Sequence, residues 1–255
     1  MIKNAVIYTL NKLDITEDIE SYFSDLDFTP CMPTESSKSG WVEPNGERFF
    51  ETVNGQHIVK LMTETKKVPA DVVDRKLQAA VKQIEVETGR KPGKKERKEM
   101  KDNIILELLP SAFPSRQSSL VWIDPDNMTI VVDASTKKKA DDVITFLVKT
   151  IPGIEVSGFG IDRDCVLAAE DATKVKYVNH DLYIDEVVEH IKSGMQVQSL
   201  SMTWDKQVSF ALSDSAILKK IEFIDIEDDG SFESSAALMI GMMQPVIVDL
   251  NQALS

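Results

Sequence analysis

After Pro69 the spacing of apolar residues changes from two to 3.6, and this change, with the breaks that follow it, limits the fold more than any other feature. Val72, Val73, Leu77, Ala80, Val81 and Ile84 fall on one helical face that ends near Gly89. Beyond the Pro92-Gly93 break, Met100, Ile104, Ile105, Leu108 and Leu109 form a second stripe, which stops at Pro110. The two stripes predict a helical hairpin.

The rest of the chain reads as strands interleaved with helices. Asn4 to Leu10 alternates like a strand, and Ile15, Ile19, Tyr22, Phe23 and Leu26 then recur at helical spacing behind Thr16 as a cap. A Pro/Ser/Gly-rich connection through Pro30, Pro33 and Gly40 leads to Trp41-Val42 and to the run Phe49 to Leu61. Within that run Asn54-Gly55 is a strong hairpin signal, because both turn positions need positive φ. Leu120 to Asp133 predicts a second hairpin about the turn Asp124-Pro125-Asp126-Asn127, followed by a helix with Ala140, Val143, Ile144, Leu147 and Val148 on its apolar side. Val166 to Val178 reads as strand, Ile184 to Ile191 as helix, and Gln196 to Phe223 as strands carrying Trp204 and Phe210. Ala236 to Leu250 reads as a Met-rich helix that Pro245 kinks or ends. Hairpins mixed with helices, without repeated β-α-β units, predict an α+β class built of antiparallel hairpin sheets with packed helices.

Charge is segregated along this pattern. The chain carries a formal net charge of -13, yet Arg90 to Lys101 holds seven Lys/Arg against two Glu. Lys94, Lys95, Arg97, Lys98 and Lys101 occupy the first two turns of the second helix, and Arg90 and Lys91 the connecting turn, so the cations collect at the tip and flank of a projecting arm. Two glutamates cannot balance seven cations. One dense cationic element on a chain whose mean field repels polyanions points to a nucleic-acid backbone as its counterpart. Lysine and arginine neutralise phosphates and release counterions, which gives salt-sensitive binding without sequence preference. No pattern of Asn, Gln and Arg suggests base reading. The acidic balance argues the other way, for confinement of contact to this one region or for a protein partner.

Other chemistries find less support. The first ten residues lack the apolar core and cleavage site of a signal peptide, and no run reaches the roughly 18 apolar residues of a membrane helix. Cys31 and Cys165 are far apart and outside any CxxC pair, as expected of reduced structural thiols in a cytoplasmic protein. His57, His180 and His190 show no HxH or HExxH spacing, so no metal or cofactor is expected, and no nucleotide- or serine-chemistry motif occurs. The carboxylates raise a competing reading, a metal-dependent nuclease. Asp124, Asp126 and Asp133 share one hairpin, with further groups at Asp162 and Asp164 and at Asp225, Glu227, Asp228 and Asp229. Two-metal cleavage needs such ligands to converge on ions about 4 Å apart. Sequence proximity does not supply that convergence, and Asp-Pro-Asp-Asn is a favourable turn by itself. A third reading is an acidic protein-interaction factor that binds another protein directly.

Several blocks, in order, resemble the recombination-associated protein RdgC family. They include Gly40-Trp41-Val42, Val53-Asn54-Gly55, Pro69-Ala70-Asp71-Val72-Val73, Gly89-Arg90-Lys91 with Lys94-Lys95-Glu96-Arg97-Lys98-Glu99, and Leu108-Leu109-Pro110-Ser111-Ala112-Phe113. Trp122-Ile123-Asp124, Val131-Val132-Asp133-Ala134-Ser135, Lys138-Lys139-Ala140, His180-Asp181-Leu182, Trp204-Asp205 and Leu218-Lys219-Lys220-Ile221 continue the match. The resemblance implies a nucleoid-associated cytoplasmic protein that forms a ring-shaped homodimer, holds double-stranded DNA without sequence specificity and limits access of the RecA recombinase. It implies no enzyme, catalytic residue, cofactor, metal or membrane partner. It also implies a central α+β domain over residues 1–65 and 121–180, a basic helical tip over 66–120 and a base over 181–255. Arg90, Lys91, Lys94, Lys95, Arg97, Lys98, Lys101 and Arg116 are then the DNA-contact candidates. Phe113 is either a tip contact between protomers or a core residue capping the hairpin, and the resemblance favours the contact. The chain departs from the family in two places. Ile154 to Ala172 is too short for an additional helical segment usual in the family, and Met195 stands where the family tends to place a lysine.

Overall fold

Every strand and helix discussed below belongs to a computed structural model that describes residues 1–159, 185–195 and 197–254. In chain order the first elements are β1 (Asn4–Lys12), α1 (Ile19–Ser24), β2 (Ser37–Val42), β3 (Glu51–Val53), β4 (Gln56–Lys66), α2 (Ala70–Thr88) and α3 (Lys94–Leu108). A 3-10 turn, Leu109–Ser111, leads to β5 (Pro114–Asp124), β6 (Thr129–Val132), α4 (Lys137–Thr150) and β7 (Glu155–Gly158). The remaining elements are α5 (Asp185–Lys192), β8 (Ser199–Trp204), β9 (Val208–Ser213), β10 (Ile217–Phe223) and α6 (Phe232–Leu254). The strands pair antiparallel and the helices intervene without β-α-β repeats, so the class is α+β. The strand expected over Val166 to Val178 lies outside the described residues, as do Asp162, Asp164, Cys165 and His180.

The described residues form two compact units, one of Met1–Thr16, Glu51–Ile58 and Leu120–Ser255, the other of Glu17–Phe50 and Val59–Ser119. In the first, the strand order runs β5-β6-β1-β10-β9-β8. Apolar alternation decides its faces. Ala5 and Ile7 of β1, Trp122 of β5, Val131 of β6, Phe210 of β9 and Leu218 of β10 share one core with Ala236, Met239, Ile240, Met243, Val246 and Ile247 of α6. Those α6 positions recur at three and four residues, the spacing of a single helical stripe. On the opposite face of β1, the Tyr8 hydroxyl donates to Asp141 Oδ1 of α4 at 2.7 Å, and Lys137 Nζ lies 4.8 Å from the Tyr8 ring centroid. Burial first, then the hydrogen bond to Asp141, pushes the Tyr8 phenol far above its ordinary range.

Two expectations about helix ends are corrected here. Pro245 does not end the last helix, which runs from Phe232 through it to Leu254. The buried Met239, Met243, Val246 and Ile247 on both sides of the proline keep the helix on the sheet, outweighing the one backbone bond that proline removes. Thr16 does not cap α1: Asp18 occupies that position, without a side-chain cap bond. This helix is six residues long, and only Phe23 of the expected stripe is buried, Ile15 and Leu26 being exposed.

In the second unit β2 pairs with β4 from Ser37↔Thr65 to Val42↔Lys60. Trp41 and Phe50 meet Phe23 at ring-centroid distances of 4.8 and 5.6 Å, and Glu20 accepts the Phe49 and Phe50 backbone N–H groups at 2.7 and 3.1 Å. The residues before β2 lie against Trp41, whose N–H donates to Leu26 O while its carbonyl accepts from Phe28 N. Glycine is required at Gly40, because a Cβ there would stand 2.4 Å from Phe28 Cα. The predicted helical hairpin is α2 and α3. Gly89, at φ 70°, closes α2 by donating its N–H to Glu85 O at 2.9 Å, which suits a residue without a Cβ. The Asn54-Gly55 turn between β3 and β4 likewise takes positive φ at both positions, 52° and 77°.

Candidate nucleic-acid interface

The turn between α2 and α3 is built by one acidic side chain. Glu96, in the first turn of α3, accepts from Arg90 Nη1 at 2.8 Å and Nη2 at 3.2 Å, and from the Gly93 N–H at 3.4 Å. The Arg90 hydrogen bond holds the Glu96 carboxyl below its usual range and raises the Arg90 guanidinium. Three further pairs lace the hairpin: Lys91 with Glu85 at 3.7 Å, Lys101 with Asp74 at 3.2 Å, and Lys76 with Glu107 at 2.7 Å.

These pairs divide the candidate cations into two groups. Arg90, Lys91 and Lys101 each hold a carboxylate. Lys94, Lys95, Arg97 and Lys98 are exposed and make no ion pair among the described residues. Lys94, Arg97, Lys98 and Lys101 fall at i, i+3, i+4 and i+7, so they line one side of α3, with Lys95 beside them. Lys94 and Lys95 also stand at the positive end of the helix dipole, where cations are disfavoured and an incoming anion is favoured. The arrangement concentrates positive potential that no carboxylate among the described residues neutralises by an ion pair.

Arg116 differs from the other candidates. It lies in β5, its Nε donates to Glu64 Oε2 at 2.7 Å, and its guanidinium carbon sits 5.3 Å from the Phe28 ring centroid. Glu64 is 2% exposed and also accepts the Cys31 N–H at 2.9 Å. The Arg116 bond, then the Cys31 N–H, holds the Glu64 carboxyl below its ordinary range. Sequence reading did not find this node, because residues 31, 64 and 116 share no local spacing. Burial pushes the Cys31 thiol up.

Phe113 is resolved in favour of the surface. It follows the 3-10 turn directly before β5 and is 91% exposed, so it is not a core residue. Val86 and Leu106 on α2 and α3 are also exposed. Trp41 and Trp122 are core, Trp122 donating to Gln56 Oε1 at 3.0 Å, while half-buried Trp204 donates to Asp249 at 2.9 Å. Burial lowers the His57 pKa, and its Nδ1 lies 3.0 Å from Thr52 Oγ1.

The hairpin carboxylates are occupied by structure. Asp124 is 1% exposed, and its Oδ1 accepts the Asp126 and Asn127 N–H groups at 3.0 Å while Oδ2 accepts Asn127 Nδ2 at 2.7 Å and Gln244 Nε2 at 3.3 Å. Asp133 accepts the Asn4 N–H at 3.0 Å. Asp228 and Asp229 accept the N–H groups of Gly230 and Ser231 before α6. Among the described residues no three His, Cys, Asp or Glu side chains gather as a metal-binding group. No helix among them is long and apolar enough to cross a membrane.

A family model described as "Putative exonuclease, RdgC" matches residues 1–158 and 156–255. The chain belongs to the RdgC family. Among curated relatives, the recombination-associated protein RdgC of Herminiimonas arsenicoxydans is 33% identical over 99% of this chain and 97% of its own length. Proteins of the same name from Janthinobacterium sp. (strain Marseille) and Yersinia enterocolitica are 34% and 31% identical over 89% and 99% of this chain, and over 88% and 97% of their own lengths. The first of these alignments spans 291 positions against a chain of 255 residues, so this RdgC-family member lacks residues that its relative has. The relatives' names place them with recombination and not with an enzymatic activity, whereas the family description names an exonuclease.

Proposed function

We propose that this chain binds double-stranded DNA without sequence preference, as a ring-shaped homodimer whose occupancy of DNA limits RecA access and holds the protein at the nucleoid. The observation that carries the reading is the set Lys94, Lys95, Arg97 and Lys98, exposed and without an ion-pair partner among the described residues at the start of α3, in a chain of net charge -13. Phosphate oxygens supply the charge these side chains lack, and helix geometry presents them along a line rather than at a point. Arg90, Lys91, Lys101 and Arg116 hold carboxylates already, so they position the cationic segment or contact phosphate only by exchanging partners. Phe113, exposed beside the same hairpin, is the proposed apolar contact between protomers.

The test is a fluorescence-anisotropy titration of random-sequence duplexes over a salt series without divalent metal. Affinity should fall with log salt at a slope of about -0.9 per phosphate, with about four contacts or more, alike on unrelated sequences. Absence of binding at low salt would end the reading.

A further inference from the structure

The ion pairs of the helical hairpin are of two kinds. Lys101 with Asp74 and Lys76 with Glu107 each join one helix to the other, so these pairs tie α2 to α3. Arg90 and Lys91 lie in the connection between the helices, and their side chains are 61% and 78% exposed. Arg90 reaches forward to Glu96 of α3, and Lys91 reaches back to Glu85 of α2 at 3.7 Å, beyond hydrogen-bond range. Neither of these two pairs crosses between the helices, so both cross-helix pairs remain when Arg90 or Lys91 lets go.

Glu96 holds its arginine in a form that an incoming phosphate can take over. A guanidinium offers the same fork of N–H groups to a carboxylate and to a phosphate. Arg90 spends that fork on the two Glu96 oxygens, through Nη1 and Nη2, while the same carboxylate accepts the Gly93 N–H. The Arg90 hydrogen bond keeps Glu96 ionised at neutral pH, so the competing charge is present whenever a polyanion arrives. An ion pair this exposed contributes little in water. A duplex, by contrast, releases condensed counterions for each cation it takes up. Transfer of Arg90 from Glu96 to phosphate is then favourable at low salt, but it leaves a bare carboxylate beside the DNA, which subtracts from the gain.

We propose that Glu96 and Glu85 attenuate DNA binding: they compete with phosphate for Arg90 and Lys91 and keep the turn from adding its full charge to the contact. The inference rests on the DNA-binding reading above and assigns these two carboxylates a role in it. Lys94, Lys95, Arg97 and Lys98, which make no ion pair among the described residues, form the standing contacts, and Arg90 and Lys91 join by exchanging partners. A carboxylate that recaptures its cation as the phosphate withdraws shortens the bound lifetime, because affinity differences among variants of one interface fall mostly on dissociation. The two glutamates thus set how long an occupied stretch of DNA stays closed to other proteins.

Glu96→Gln in the full chain tests this, because it removes the charge and keeps an amide oxygen for the Gly93 N–H, as capping boxes with glutamine do. Anisotropy with a random-sequence duplex should show affinity about five- to tenfold higher at roughly 0.1 M salt, and a log–log salt slope steeper by up to about 0.9, one further phosphate. Dissociation followed by stopped flow should slow to match. Glu85→Gln, outside the Glu96–Gly93 cap, should shift both in the same direction by less, since Lys91 is held at the longer distance. Arg90→Gln added to Glu96→Gln should remove most of the gain. Circular dichroism checks folding, and if Glu96→Gln does not fold, Glu85→Gln carries the test on the same terms. A folded Glu96→Gln that binds no tighter than wild type, or a gain that survives in full without Arg90, overturns the inference and leaves the DNA reading standing. A wild-type chain that binds no duplex at low salt overturns both.

Discussion

Replacing Lys94, Lys95 and Lys98 together by glutamine removes cations that no carboxylate on the described chain holds, so the change subtracts from DNA binding and little from the fold. Each phosphate contact contributes a slope of about 0.9 in log affinity against log salt, so three lost contacts should flatten the slope by about 2.7. At roughly 0.1 M salt the counterion term of those contacts amounts to a factor of about 500 in affinity, near 3.7 kcal/mol. The helix itself should persist: lysine and glutamine have similar helix propensity, and the turn is held by Arg90, Glu96 and Gly93, which are untouched. The assay is anisotropy on two unrelated duplexes from about 50 to 200 mM salt, with thermal unfolding alongside. An unchanged slope in a folded triple variant refutes the assignment, as does a loss confined to one duplex sequence.

Three further outcomes are expected. Gly40→Ala should destabilise the fold by at least about 1–3 kcal/mol in denaturant melts, because its Cβ would stand 2.4 Å from backbone that cannot yield cheaply; wild-type stability would contradict the packing described. Trp122→Phe should cost about 1–3 kcal/mol by leaving the buried Gln56 carbonyl oxygen without its donor, and Gln56→Leu in that background should recover part of the loss. Glu64 has a folded pKa below its ordinary value, so its stabilisation is complete above the unfolded carboxylate pKa of about 4.3 and is lost as pH falls through the lower folded value. Urea melts between about pH 3 and 6 should show this acid loss in the wild type and less of it in Glu64→Gln; equal pH dependence would remove Glu64 from the account.

The helical hairpin was legible because its signals are local: two stripes of 3.6 period, a left-handed glycine, and a proline that keeps the second helix from continuing. The Asn54-Gly55 turn was legible for the same reason. Pro245, read as kinking or ending the helix, does not end it, because its penalty is local while the packing that overrides it, Met243, Val246 and Ile247 against the sheet, is tertiary. Thr16 misled because a good capping residue does not fix where a six-residue helix starts. The basic residues were readable as a group but not as individuals. Composition cannot tell Arg90, spent on Glu96, or Arg116, spent on Glu64, from Lys94 and Lys95, which make no ion pair among the described residues; only side-chain distances do. Phe113 was undecided between core and surface until its neighbours were placed.

Glu64 draws its partners from three stretches of chain that arrive separately, the Cys31 N–H, the Arg116 guanidinium and its own strand β4. In the folded unit, loss of the Arg116 guanidinium would leave the Glu64 carboxylate, 2% exposed, without its cation, which is disfavoured. The three stretches are therefore coupled in the folded unit through one carboxylate. A packing of the unit that keeps Glu64 buried but sets β4 and β5 out of register is thereby penalised.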